Sequence, residues 1–225
     1  MERVRALRGR GLSPKEIARA LGVPPAAVAP LVRTIATEDQ AVAGEGEVVE
    51  CWVSPGWSEG LTVKGHPEWP DVDATDSGAS GLVSVLLTRT GRRDRVRVCG
   101  WLVDAYCLGV KNVVGPRVMD ERRVSEFRSS FFGAYRARPL EAPAELAQHL
   151  VFGAIAYARS LGFEPARGFQ ATAGHLGPWT GPSEIGFGRD GKPLFVQGPR
   201  DNAARILRTL ERSVGPGNFD YLVLG

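Results

Sequence analysis

The feature that most constrains the fold is a pair of strand-like runs joined by a short turn. Residues 82–88 and 95–106 are rich in Val and Leu, and Gly91-Arg92-Arg93-Asp94 between them is typical of a hairpin turn. A connection this short joins antiparallel neighbours, because parallel strands need a crossover of a dozen or more residues. The sequence therefore predicts an antiparallel pair of strands.

Helical and strand-like segments alternate through the rest of the chain. The pattern predicts helices over 120–132, 143–161 and 201–214, and strands over 48–53, 185–187, 194–196 and 219–224. The strands at 185–187 and 194–196 flank a second hairpin signal, and His149 on the longest helix is expected at its surface or as a cap. There is no strand–helix–strand rhythm, so we expect an α+β fold.

A helix start stands near the N-terminus. In Ser13-Pro14-Lys15-Glu16, Ser13 can accept from the Glu16 amide while the Glu16 carboxylate reaches back, and Gly22 ends the helix. Shorter apolar stripes precede and follow it, so we expect three short helices over residues 1–36. This arrangement, with EIARALGV leading into the second turn, resembles the helix-turn-helix fold of bacterial DNA-binding proteins.

The third helix departs from the pattern of a sequence-specific DNA reader. Residues 24–30 offer only Pro, Ala and Val side chains, whereas base edges are read by hydrogen-bonding groups. Phosphate contacts remain open, because they need only positive charge. A protein-docking or purely structural role is the alternative. The candidate phosphate-binding residues of this module are Arg3, Arg5, Arg8, Arg10, Lys15, Arg19 and Arg33.

Charge is segregated along the chain despite a net charge of only +3. Residues 1–36 hold seven Lys or Arg against two Glu, residues 37–80 hold one Lys against ten acids, and residues 81–138 hold twelve basic groups against five acids. Two basic segments indicate polyanion contacts, although base-composition bias would also enrich Arg. Arg92, Arg93 and Arg95 could bind phosphate at the hairpin tip or simply protect a solvated strand edge.

The composition favours a cytoplasmic protein with an appended small module. We expect a helix-turn-helix-like module at 1–36, an acidic linker at 37–47 and a larger α+β domain of hairpins and helices at 48–225. The three cysteines form no CxxC pair, which argues against disulfides. The N-terminus lacks the apolar core of a signal peptide, and no apolar run is long enough to cross a membrane. No metal site or cofactor is predicted.

Three reactive side chains stand close together where the second strand of the hairpin ends. Asp104, Cys107 and Lys111 could converge there, and a nearby cation would favour the thiolate. With His149 or His175 as a base they could form the site of a hydrolase or, more weakly, of a nuclease. The alternative is a buried Asp–Lys pair beside an inert core cysteine.

Three strings of the larger domain share a family signature. LVDAYCLGVKN (102–112), FGAIAYARSLGFEP (152–165) and FGRDGKPLFVQGP (187–199) together resemble a family of uncharacterised bacterial proteins with a VD-x-x-CLGVK box and an FG-x-DGKP hairpin. The resemblance covers residues from about 48 to 199 and implies no established activity.

The sequence thus supports three functional hypotheses. The first is a nucleic-acid-associated regulator or accessory factor that binds DNA or RNA mainly through phosphate contacts. The second is an enzyme centred on Asp104, Cys107 and Lys111. The third is an adaptor whose third helix binds a protein partner.

Overall fold

The computed structural model describes residues 3–4, 7, 12–32, 46–66, 68–70, 81–91 and 95–223, and these form an α+β fold. The helices with defined bounds are α1 (Pro14–Leu21), α2 (Glu121–Phe131), α3 (Ala144–Ser160), α4 (Phe169–Leu176) and α5 (Ala203–Ser213). The strands are β1 (Val48–Val53), β2 (Thr62–Val63), β3 (Leu82–Thr90), β4 (Arg95–Asp104), β5 (Gly109–Asp120), β6 (Leu140–Glu141), β7 (Ile185–Gly186), β8 (Leu194–Val196) and β9 (Asp220–Leu222).

The predicted hairpin is confirmed as the middle of a five-stranded sheet. Its order is β5-β4-β3-β1-β6, and every neighbouring pair is antiparallel. Leu87 of β3 lies opposite Cys99 of β4, and the pairing runs from Leu82 to Thr90 without a break in register. β5, which pairs with the whole length of β4, was not predicted from the sequence.

Both faces of this sheet are covered, which explains why β4 is continuously apolar from Val98 to Val103. Trp101 and Val103 point to the face that packs against α3, while Val96 and Val98 point to the face that carries α2. The Trp101 indole N–H donates to the hydroxyl of Thr172 in α4 at 3.0 Å. β4 is therefore a central strand, as expected when successive side chains alternate between two buried faces.

The second predicted hairpin is wrong in its pairing, although its turn forms. Asp190 and Gly191 both have positive φ, 53° and 82°, and the turn is closed by a bridge between Arg189 and Lys192. The flanking strands do not pair with each other, because β7 pairs with β2 and β8 pairs in parallel with β9. The turn at Asp190 and Gly191 is determined by local sequence, whereas the pairing of the flanking strands is determined by tertiary packing.

The predicted N-terminal helices are present. α1 is capped at its start by Ser13, whose amide donates to the Glu16 carboxylate at 2.7 Å, and at its end by Gly22, with φ of 68°. Residues 3, 4 and 7 and residues 25–32 are also helical. Among the described residues of this module, the buried ones are Val4, Ile17, Ala18 and Val28, which form one apolar cluster. None of the helices in the described part of the chain has the length and hydropathy needed to cross a membrane.

Candidate functional site

The turn between β4 and β5 is held by Asp104, the last residue of β4. Its Oδ1 accepts hydrogen bonds from the backbone N–H groups of Tyr106 at 3.1 Å and Cys107 at 3.0 Å. Gly109 closes the turn with φ of 67°, and a Cβ there would lie 2.8 Å from the Cβ of Ala158. The sequence of this turn therefore reflects backbone geometry and the close approach of α3.

The Asp104 carboxyl is almost fully withdrawn from solvent, with 5% of the residue exposed. Burial raises the pKa of Asp104 to about 6, although the charge of Lys111 and the backbone donors of the turn act in the opposite direction. Desolvation thus outweighs the favourable interactions of the charged form.

The Cys107 side chain lies inside the core. It has no exposed surface and packs in an apolar cluster with Leu161, Phe195 and Leu210. Burial raises the pKa of the Cys107 thiol far above its usual value, and the Asp104 carboxylate raises it further. A thiol in this setting is protonated and sealed, the opposite of a reactive cysteine. Asp104, Cys107 and Lys111 are near one another but do not share an open cleft.

Lys111 forms an ion pair with Asp201, not the expected pair with Asp104. The Lys111 Nζ donates to Asp201 Oδ2 at 2.6 Å, and the same oxygen accepts from the Gly198 backbone N–H at 2.8 Å. Both side chains of the pair are partly exposed, at 18% and 14%. The ion pairs of the described residues do not include Asp104 with Lys111, so the expected Asp104–Lys111 pair is wrong, and Lys111 pairs instead with a residue that the sequence did not single out.

Lys111 also lines a groove beside α5, which we call the α5 groove. Residues of α5 line both halves of the groove. The facing residue is Gly162 in the cationic half, whereas in the mixed half the segment 162–166 and residues 108–111 face α5. Its cationic half has a volume of about 670 Å³, and its mixed half a volume of about 450 Å³. Three arginines of the cationic half were missed, although their spacing along the predicted helix places them on one face. They are Arg205, Arg208 and Arg212.

The N-terminal module keeps its described basic side chains at the surface. Arg3, Lys15 and Arg19 are all exposed. Lys15 and Arg19 are one turn apart on α1, so they lie on the same face of the helix. The remaining candidates of this module fall outside the described residues, namely Arg5, Arg8, Arg10 and Arg33.

The basic hairpin is described only at its base. Arg95 is exposed, and its Nε lies 3.3 Å from Asp120 Oδ1 across the β4–β5 pair. Arg92 and Arg93 fall outside the described residues. Arg95 therefore already has an acidic partner, which would compete with a phosphate for its guanidinium.

A cluster of His and Trp rings was missed by the sequence reasoning. His66 stacks on Trp69 with 4.0 Å between ring centroids, and His149 lies 5.0 Å from Trp69 and 4.9 Å from Trp179. The prediction that His149 is a surface or capping residue is wrong, because it is 8% exposed and its Nδ1 accepts from the Glu184 backbone N–H at 2.9 Å. Burial lowers the pKa of His149. The residues that cover His149 include Trp69 and Trp179, which are distant from it in sequence. The periodicity of the helix therefore could not indicate that His149 is buried.

His175, the other candidate base, is also buried. Its Nε2 lies 3.0 Å from the carbonyl oxygen of Leu87 on β3. Within the ranges that the structure describes, no three His, Cys, Asp or Glu side chains converge as metal ligands.

A scan of protein-family models found no match to the chain, and searches of curated proteins and of solved structures likewise found none. The resemblances to the helix-turn-helix fold and to the family with the CLGVK box therefore stay predictions.

Proposed function

We propose that the protein binds nucleic acid, DNA or RNA, chiefly through phosphate contacts made by its N-terminal helices. The observation that carries this proposal is the exposure of Arg3, Lys15 and Arg19 around a module that buries its apolar residues in its own cluster. Val4, Ile17, Ala18 and Val28 pack against one another inside the module. The module's exposed cationic side chains are therefore available to a polyanion. With this function we also propose a cytoplasmic location.

The chemistry of the helical segment 25–32 argues for binding without base readout. Pro25, Ala26 and Ala27 are exposed there, and none of them carries a donor or acceptor on its side chain. Arg and Lys contacts to phosphate fix affinity and orientation but carry no sequence information. We therefore expect similar affinity for duplexes of unrelated sequence and a strong dependence on salt.

The test is fluorescence anisotropy of the full chain with a labelled mixed-sequence DNA duplex and a labelled single-stranded RNA. We expect binding that weakens steeply between about 50 and 200 mM salt. The variant Arg3→Gln/Lys15→Gln/Arg19→Gln should bind at least tenfold more weakly. For each lost phosphate contact its salt slope should be lower by about 0.9 on the duplex and about 0.7 on the single strand. The matched control is Arg122→Gln/Arg123→Gln, which removes two exposed charges from α2 and should bind as the wild type does.

Absence of binding at low salt, or equal loss in the two variants, would refute the proposal.

A protein partner is the second candidate, because the same exposed Pro and Ala side chains offer an apolar surface on the segment 25–32. Affinity capture with and without nuclease separates the two. A partner that docks on protein survives nuclease treatment, whereas one bridged by nucleic acid is lost.

A further inference from the structure

The α5 groove has two halves of different chemistry that meet at Arg205. The cationic half runs along α5 from Arg205 to Arg212, and the mixed half continues past Ile206 to Lys111. The volumes, about 670 and about 450 Å³, each fall in the range of small-molecule sites. The groove is therefore large enough for an organic ligand.

Its walls are held by backbone contacts. The Ala166 N–H donates to the Val110 carbonyl at 2.8 Å, which fastens the segment 162–166 to β5. Gly162 has φ of 88°, and a Cβ there would lie 3.1 Å from the Cγ2 of Thr209, so the segment approaches α5 closely. These two contacts hold the segment 162–166 beside β5 and α5.

The cationic half carries three guanidinium groups on one helix face. Arg205, Arg208 and Arg212 span about 10 Å along the axis, since each residue rises about 1.5 Å. None of the ion pairs among the described residues involves any of them. Guanidinium groups bind phosphate through paired, charge-assisted hydrogen bonds. Such a row matches a ligand with more than one phosphate.

The mixed half suits the rest of such a ligand. Leu108, Phe163 and Ile206 supply apolar surface, and Phe163 supplies an aromatic ring. The carboxylates of Asp201 and Glu164 lie in the same half, where they would repel phosphate but accept hydrogen bonds from hydroxyl or amino groups. The charges thus orient a ligand with its phosphates toward Arg212 and its polar ring system toward Lys111.

We propose that the α5 groove binds a nucleoside polyphosphate, with the phosphates on Arg205, Arg208 and Arg212 and the nucleoside against Phe163. A nucleoside combines a flat ring, amino groups and hydroxyls, which are the groups that the mixed half accommodates. This site is separate from the N-terminal helices, and the proposal does not depend on nucleic-acid binding by them.

Isothermal titration calorimetry of the full chain with ATP, GTP and tripolyphosphate tests the proposal. We expect saturable binding of at least one nucleotide, at least fivefold tighter than that of tripolyphosphate. Arg208→Gln/Arg212→Gln should weaken nucleotide binding at least tenfold. Arg122→Gln/Arg123→Gln on α2 is the matched control and should leave it unchanged. The variant Arg3→Gln/Lys15→Gln/Arg19→Gln should also retain it, whatever its effect on nucleic acid.

Three outcomes would overturn the proposal. They are no saturable binding of either nucleotide, equal losses in the groove variant and the α2 control, and equal affinity for nucleotide and tripolyphosphate. The last outcome would mean that the mixed half takes no part. Circular dichroism of each variant establishes that it is folded, and Phe163→Leu, which keeps apolar bulk but removes the ring, provides an independent variant. It should lower nucleotide affinity and leave tripolyphosphate affinity unchanged.

Discussion

Lys111 on β5 and Asp201 just before α5 are joined by a hydrogen-bonded ion pair of 2.6 Å, which ties the edge of the sheet to the C-terminal helix. The pair is mostly but not fully buried. Removing one partner of such a pair leaves the other charge without compensation, whereas replacing both removes that penalty.

We expect Lys111→Met to lower the free energy of unfolding by about 1–3 kcal/mol, because Asp201 then keeps a poorly solvated charge. Lys111→Met/Asp201→Asn should recover part of this loss. Urea unfolding followed by circular dichroism measures both variants. A double variant that is less stable than the single one by the full cost of a second independent change would contradict the coupling.

Asp104 predicts a pH dependence of stability. Its pKa is about 6 in the folded protein and about 4 in the unfolded chain, so between these values the folded state binds the proton more strongly. The contribution of Asp104 to the free energy of unfolding is therefore fully present below about pH 4 and is lost as the pH rises to about 6. Asp104→Asn should remove this component of the slope while its side-chain oxygen still accepts from the Tyr106 and Cys107 amides. The free energy of unfolding of both proteins, measured from pH 4 to 7, tests this prediction. The same pH dependence in Asp104→Asn as in the wild type would argue against the raised pKa of Asp104.

A third prediction concerns the cysteines. Cys51, Cys99 and Cys107 are free and buried, and burial raises the pKa of Cys51 and of Cys99 to about 12. We expect a thiol reagent such as Ellman's reagent to react with the native chain only as fast as the chain opens. All three thiols should react at once in denaturant. Rapid modification of Cys107 in the native chain would instead favour the enzyme hypothesis.

The sequence predicted elements whose pattern is local. β3 and β4 follow from two runs rich in Val and Leu around a turn, and α1 follows from the Ser13–Glu16 capping box and Gly22. β5 was missed because Gly115 and Pro116 interrupt its pattern. β5 is an edge strand, where a proline without an N–H is tolerated. A sequence with Gly115 and Pro116 can form this strand because β5 lies at the edge of the sheet, and the sequence alone does not show which strand is at the edge.

The candidate site was predictable only in part, for the same reason. Lys111 was identified from its neighbours in sequence, but Asp201, its partner, comes from a distant segment. Asp104 was expected to pair with Lys111, whereas the hydrogen bonds to its carboxylate come from backbone amides of its own turn. Partners fixed by tertiary packing, such as Glu184 for His149, leave no periodic signal.

The last prediction comes from Gly153, in the middle of α3. A Cβ there would lie 2.6 Å from the Cβ of Ser183 and 2.6 Å from the Cε2 of Phe187. Alanine is the better helix former by about 1 kcal/mol, but overpacking a rigid core costs about 1–3 kcal/mol. We therefore expect Gly153→Ala to destabilise the protein, against helix propensity. Ala156→Gly, at an exposed position of the same helix, should also destabilise, by about 1 kcal/mol, as propensity alone dictates. Thermal or urea unfolding compares them. A Gly153→Ala protein about 1 kcal/mol more stable than the wild type, as propensity alone dictates, would mean that α3 does not approach Ser183 and Phe187 this closely.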